Sequence, residues 1–510
     1  MKMEVLLAGL NIDRATLAEA QALLERAAAT GDQELRESLA EFLDRTVWSP
    51  ETLSAAYARI SRDPEPVPEL RERSRREVEA ARRSNESIIF GLGHSSVAEH
   101  AVFNFDILGL SRLAMEAVEH HRLCSFTEKS QRYITLDNES FVPPEVEEAG
   151  LGARFAGTMR AQFADYSFLH ERLLEHARLK FPNKAGKKRG MLLLEGMAKE
   201  DARYALLLAT PGQLGMTANA RNVELIISRL AAHPLAELRE FAGRLEEAVR
   251  GIAPSLIKYT RGARHLVEAG AELRRLAGKH LSVDDAGADA ETVRLLSCPD
   301  DGDERLAAAL LFSAGGEGYE SCRAAAAEMS EAALAELIRA GLRRLRSWDP
   351  VPRAFEEVRL SYELIISASC YAQLKRHRMS TQIVQPYQLN LGITVPPLIV
   401  EAGLEARLLE ATARAEELHE ELSSKVPEAA AYAMTNSHRR RVLFSCNLRE
   451  LYHLARLRLD QHAQWDIRAV AARMVMLAAG RMPLAMLMAC GKDCFGERYE
   501  EVFGEPAADT

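Results

Sequence analysis

Along most of the chain, apolar residues recur every three or four positions, the spacing that gathers them on one face of a helix. The runs from Leu151 to Leu179 and from Leu404 to Leu422 carry this pattern without a break. Strand-like alternation is rarer. It occurs in Val102-Phe-Asn-Phe-Asp-Ile-Leu108 and in Val358-Arg-Leu-Ser-Tyr-Glu-Leu364, and each segment begins 19 residues before a histidine flanked by basic residues, His121 and His377. The pattern predicts a helix-rich α+β protein with small sheets. Residues 1–80 read as a helical N-terminal segment with a linker at Asp63-Pro-Glu-Pro-Val-Pro68. The Asp- and Gly-rich stretch from Gly278 to Asp303 reads as a boundary.

The chain also contains itself twice. Val142-Pro-Pro followed by Glu148-Ala-Gly-Leu-Gly-Ala-Arg154 returns as Val395-Pro-Pro followed by Glu401-Ala-Gly-Leu-Glu-Ala-Arg407, an offset of 253. His120-His-Arg122 returns as Arg376-His-Arg378 at 256, Asn219-Ala-Arg221 as Asn447-Leu-Arg449 at 228, and His233 as His462 at 229. Offsets near half the length mark a tandem duplication. Their drop by about 25 puts an insertion in the first copy, expected near Phe181-Pro-Asn-Lys-Ala-Gly-Lys-Lys-Arg-Gly190. The units are then 81–277 and 304–500.

Composition narrows the function classes. At 510 residues with 47% hydrophobic and 27% charged residues, the chain is neither disordered nor fibrous. Its 65 Lys and Arg against 74 Asp and Glu argue against general binding of nucleic acid or of acidic membranes, so any anionic ligand must be met by a local basic pocket. Seven scattered cysteines suit a reducing compartment, and nowhere do eighteen uncharged apolar residues run together. A cytoplasmic protein is expected, with no metal site.

The richest chemistry lies in His120-His-Arg-Leu-Cys-Ser-Phe-Thr-Glu-Lys-Ser-Gln-Arg-Tyr133, too polar for a core and rich in groups that bind phosphate or a pyrimidine edge. A solvated loop of surface ion pairs is the competing reading. The aligned run Arg376-His-Arg-Met-Ser-Thr-Gln-Ile-Val-Gln-Pro-Tyr-Gln388 keeps the triplet and loses the rest. The run His438-Arg-Arg-Arg441 reads as a solvated basic helix surface, and Trp465 as a packing anchor.

These motifs resemble the flavin-dependent thymidylate synthases, whose signature is R-H-R-x-x-S-x-N-x-x-S-x-R. The first copy matches at His121, Arg122, Ser125, Ser130 and Arg132 and departs at His120 and Thr127. The resemblance extends to Gly93-His94-Ser-Ser-Val-Ala-Glu-His100, to Asp201-Ala-Arg203, and to Arg458-Leu-Asp-Gln-His-Ala-Gln-Trp-Asp-Ile-Arg468. It implies a chain of two tandem domains, each a small antiparallel sheet packed by helices. It also implies transfer of a one-carbon unit from methylenetetrahydrofolate to C5 of dUMP, with FAD as cofactor, NADPH as reductant, and sites built where subunits meet. A homodimer of the chain would reproduce the family's tetramer.

Carried over by position, the resemblance gives Glu128, Ser130, Arg132, Arg203 and Gln373 substrate-binding roles, and makes Arg229 and Arg458 the catalytic arginines. Cofactor-binding roles fall to His94, His121, Arg122, Asn219 and Arg221 in the first copy, and to Arg376, His377, Arg378, Asn447, Arg449, His453 and His462 in the second. The losses look complementary. Ala117 stands where the family has Gln, while Pro386, Gln388 and Ala431 replace Ser130, Arg132 and Arg203. The implied site therefore takes nucleotide contacts from the first copy and flavin contacts from the second. Two alternatives stay open: a flavoenzyme acting on another pyrimidine nucleotide, and a homologue that binds flavin or nucleotide without catalysis.

Overall fold

A computed structural model describes residues 2–30, 33–46, 48–134, 141–281 and 291–507. The first copy's sheet is built from β1 (Glu4–Leu10), β2 (Val102–Ser111), β3 (Ser125–Glu128) and β4 (Pro211–Asn219). The second uses β5 (Val293–Ser297), β6 (Arg359–Ser367), β7 (Thr381–Val384) and β8 (Arg439–Asn447). The spatial orders are β1-β2-β4-β3 and β5-β6-β8-β7, antiparallel throughout. Both alternating segments are central strands. Phe103, Phe105 and Ile107 of β2 enter the core while Asn104 and Asp106 face out, as a two-residue period requires.

Duplication is visible residue by residue. Ser125 pairs with Thr217 as Thr381 pairs with Ser445, so strand register repeats the 256 and 228 offsets. One extra residue separates β2 from β6: Gly109 forms a bulge at φ +72°, where a side chain would strike the Lys2 carbonyl. The N-terminal segment departs from its helical reading at its start, because β1 is an edge strand paired with β2. A short apolar run such as Val5 to Leu10 has no period that separates strand from helix.

In the first copy, α1 (Arg112–Glu119) follows β2, the long α2 (Gly152–Lys180) leads to α3 (Lys188–Ala202), and α4 (Ala220–Leu230) follows β4. In the second copy the matching helices are α5 (Ala368–Leu374), α6 (Glu405–Lys425) and α7 (Leu448–Arg458), and α8 (Trp465–Ala479) comes after them. Ser111 and Ser367 cap α1 and α5, and Asn219 and Asn447 cap α4 and α7, each accepting from a backbone N–H three residues on. The first copy's insertion is α3, which begins within the predicted stretch. In the second copy, α6 passes directly into the turn Pro427–Ala433.

The copies share a core. Leu408, Ala411, Ala415, Leu418 and Leu422 of α6 pack in one apolar cluster with Phe155, Met159 and Phe163 of α2. Between them Leu207 bridges Thr435, residues 228 apart; Leu208 N–H donates to the Met434 carbonyl at 2.7 Å and Asn436 N–H to the Leu206 carbonyl at 3.0 Å. Equivalent residues meet each other, so a pseudo-twofold axis passes through this bridge, as in an isologous dimer. No helix among the described residues is long and apolar enough to cross a membrane.

Candidate functional site between the copies

The pseudo-twofold brings the β3 end of the first copy against the α5 end of the second. Arg376 pairs there with Glu128 at 2.8 Å and with Glu119 at 3.0 Å, and it donates to the Phe126 carbonyl at 3.3 Å. Arg378 reaches the carbonyls of Arg122, at 3.1 Å, and of Cys124. Arg112 also pairs with Glu128, and Lys375 with Glu119 at 2.7 Å. Arg132, whose backbone N–H donates to Ser130 Oγ at 3.1 Å, pairs through its side chain with Glu200 at 2.5 Å and donates to the His462 carbonyl at 3.2 Å.

Arg458 projects from the last turn of α7. Its Nε donates to His377 Nε2 at 3.0 Å, and its two terminal nitrogens reach Gln373 Oε1 at 3.2 Å and the Gln373 carbonyl at 3.0 Å. Because a guanidinium can only donate, His377 Nε2 is an acceptor and Nδ1 carries the proton, which goes to Glu450 at 3.1 Å. Burial lowers the His377 pKa and keeps the ring neutral.

Six cations (Arg112, Arg132, Arg203, Lys375, Arg376 and Arg458) thus gather around Glu119, Glu128 and Glu200, with Glu116 acting on Arg112 and Lys375 and the buried Asp466 on Arg203. Burial pushes the Asp201 carboxyl up to about 7. Arg203 is 3% exposed and, among the described residues, its Nη2 has no hydrogen-bond partner. Burial and the neighbouring Arg376 and Arg132 bring Arg458 down to about 10. The orphaned, buried guanidinium nitrogen calls for an anion. Of this cluster Arg132 and Glu200, together with Asp201, His462, Trp465 and Arg468, line an adjoining cavity of about 370 Å³, walled on one side by Leu192, Leu193 and Met197 of the inserted α3.

A second cavity of about 310 Å³ lies behind His377. Asn447, Arg449, Glu450 and His453 line it with Trp348, Val351, Met379 and Tyr452, and the His453 ring stands 5.7 Å from that of His377. Asn447 is also the α7 cap, and Arg449 is held by the Val351 carbonyl and Glu356.

The first copy's counterparts lie elsewhere. His94 lines a separate cavity of about 620 Å³ with Tyr57, Arg62 and His100, Arg221 pairs with Glu99 there, and Asn219 caps α4. Arg122 and Arg229 are exposed. Both α4 and α7 run eleven residues from their Asn caps, so Leu230 occupies the position of Arg458 and Arg229 that of the exposed Leu457. Among the described residues His121 is left with a buried, unpartnered Nε2, and burial brings it down to about 4.

The same axis generates a second, related location, where Pro386, Gln388, Ala431, Ala117, His120 and Leu230 replace Ser130, Arg132, Arg203, Gln373, Arg376 and Arg458. Arg440 fills it. This residue stands where the first copy has Gly212, lies 4.9 and 4.1 Å from the ring centres of Tyr371 and Tyr387, and pairs with Glu116 at 2.6 Å, while Tyr387 donates to Glu116 at 2.7 Å. The expected solvated helix surface at His438–Arg441 is therefore corrected: His438 is fully buried and the arginines belong to β8. Trp465 stacks on Tyr204 and donates to Asp201 at 2.7 Å.

Sequence reasoning passed over Arg112, Glu119, Glu200, Lys375 and Asp466. Asp466 is a buried carboxyl accepting from Tyr204 of the first copy at 3.0 Å and from Ser367 of the second at 2.5 Å. The 256 offset already aligned Glu119 with Lys375, which was the available signal.

Comparison with known proteins follows the same division. A UPF0159 protein of Thermoplasma acidophilum is 26% identical over 467 residues, covering 83% of this chain and 91% of that one. A UPF0159 protein of Chlamydia pneumoniae is 24% identical over 420 residues, 78% of each. A flavin-dependent thymidylate synthase of Geobacter sulfurreducens is 30% identical over 177 residues, a third of this chain (33%) and 66% of the relative. The model of the thymidylate synthase complementing protein family matches residues 42–255 and again 294–484. With both copies matched over most of their length, the chain belongs to the thymidylate synthase complementing protein family and carries its unit twice.

Proposed function

We propose that the chain methylates C5 of dUMP as a flavin-dependent thymidylate synthase, taking the one-carbon unit from methylenetetrahydrofolate and reducing power from NADPH. The observation that carries this reading is the cross-copy cation cluster with the unpartnered Nη2 of buried Arg203. In it, Arg132 and Arg203 hold the phosphate, while Gln373, Arg376 and Arg458 face the uracil edge. Arg458, fixed by three hydrogen bonds, stabilises negative charge on the ring as C5 becomes nucleophilic, and it needs no reorganisation to do so. Neutral His377 keeps that guanidinium aimed.

The cavity behind His377 fits a flavin in character. Trp348, Val351, Met379 and Tyr452 supply apolar walls, and Asn447, Arg449 and His453 supply the few polar groups such a ring system needs. FAD bound there would supply the hydride chemistry that side chains lack. Relatives named flavin-dependent thymidylate synthase support the same reading.

The test is the purified chain given FAD, NADPH, methylenetetrahydrofolate and dUMP, beside complementation of a thymidine-requiring bacterium. Formation of dTMP and growth without thymidine are expected. A chain that binds neither FAD nor dUMP refutes the proposal.

A further inference from the structure

Position 119 of the first copy and position 375 of the second are equivalent, 256 apart, and they meet each other across the pseudo-twofold axis at 2.7 Å. In a symmetric dimer of identical chains, a residue on the axis faces its own copy, and a charged one would face its own charge. Here duplication has let the two sides diverge into Glu119 and Lys375. Both are buried, at 3% and 6% exposure. Burial works against the charge of Glu119, but Lys375, Arg376 and Arg112 outweigh it and hold the carboxyl below its usual range.

The second oxygen of Glu119 reaches Arg376 at 3.0 Å, on the side of the guanidinium that also meets Glu128. Arg376 is about a third exposed, whereas Glu119 is sealed beneath it. Resting on the nucleotide reading above, we propose that Glu119 is a positioning residue: it acts through Arg376, fixing where that guanidinium meets the nucleotide, and Lys375 serves to keep Glu119 ionised.

A charge swap separates this role from simple cohesion of the two copies. Glu119→Lys combined with Lys375→Glu restores an ion pair on the axis but turns a cation toward Arg376. Melting temperature, dUMP affinity by calorimetry, and the rate at which phenylglyoxal modifies Arg376, read by peptide mass spectrometry, are measured on the full chain. The swap is expected to melt below the wild type, because a cation at position 119 lies beside Arg376 and Arg112, to bind dUMP at least tenfold more weakly, the loss of about one charge-assisted contact, and to expose Arg376 to faster modification. Glu119→Gln, which keeps the volume and one acceptor oxygen, covers the case of a swap that does not fold, and is expected to shift affinity and modification in the same direction. Lys375→Met is expected to affect both less than either. Unchanged Arg376 modification and dUMP affinity in Glu119→Gln would overturn the proposal. A wild-type chain that ignores dUMP removes the nucleotide reading alone, and the Arg376 modification rate still decides whether Glu119 positions it.

Discussion

Replacing Arg458 by methionine separates what the site costs from what it does. The side chain makes three hydrogen bonds, to His377 Nε2 and twice to Gln373, and bonds from a charged donor contribute about 1.5–3 kcal/mol each. Against this, burial and the repulsion of Arg376 and Arg132 bring its pKa to about 10, so keeping the charge there costs about 3 kcal/mol. Three such bonds come to about 4.5–9 kcal/mol and outweigh that cost, so the variant is expected to melt below the wild type. Nucleotide binding has no such compensation. On the proposed function, which puts this guanidinium at the uracil edge, its loss is expected to weaken dUMP about 10- to 100-fold by calorimetry. Arg458→Lys keeps the charge without the planar fork and is expected to fall between. A folded methionine variant that binds dUMP as tightly as the wild type would refute the reasoning, because Arg458 would then be only a fastener for His377 and Gln373.

Glu237 accepts from Ser111 N–H at 2.6 Å, Ser111 Oγ at 2.7 Å and Tyr432 of the second copy at 2.7 Å, so Glu237→Ala strands three buried donors and is expected to cost about 3 kcal/mol or more, read by urea denaturation. Asp201 is raised to about 7 from 3.8, so its neutral form is the one the fold favours; that contribution is complete below pH 3.8 and is lost as pH rises through about 7. The melting temperature of Asp201→Asn relative to the wild type is therefore expected to climb between those two limits, and a pH-independent difference would contradict the assignment. Since Arg440, Tyr371 and Tyr387 fill the second pseudo-equivalent location, dUMP is expected to saturate at one molecule per chain, and two equal sites per chain would contradict this. Sedimentation is expected to show a dimer of the chain, which reproduces a four-unit assembly.

What the sequence made legible was whatever repeats or alternates. The β2 and β6 strands followed from period-two runs, and the shared core helices from three-and-four spacing. Offsets of 253 and 228 bracketed the inserted α3 before any coordinates. The strand β1 was missed because an unbroken apolar run carries no period. Residues with a chemical signature in a linear motif, Glu128, Arg132, Gln373, Arg376 and Arg458, lie in one cross-copy cluster. His94, Asn219 and Arg221 share that motif legibility, yet His94 lines a different cavity, Arg221 pairs with Glu99 and Asn219 caps α4, since residue type alone does not say which side of a pseudo-twofold a group faces. Arg229 illustrates the same limit: one position along α4 turns a guanidinium from the buried to the exposed face. Glu119, Lys375 and Asp466 acquire meaning only through partners roughly one copy away, and no local pattern announces such pairs.

The central claim is that cationic groups from both copies form one nucleotide site. It is tested most directly by titrating dUMP into two variants of the full chain, Arg203→Met in the first copy and Arg458→Met in the second. The account predicts that each substitution alone weakens binding at least tenfold, because both guanidiniums serve the same bound molecule. If either variant retained wild-type affinity while the other lost it, one copy alone would hold the nucleotide and the composite site would be contradicted.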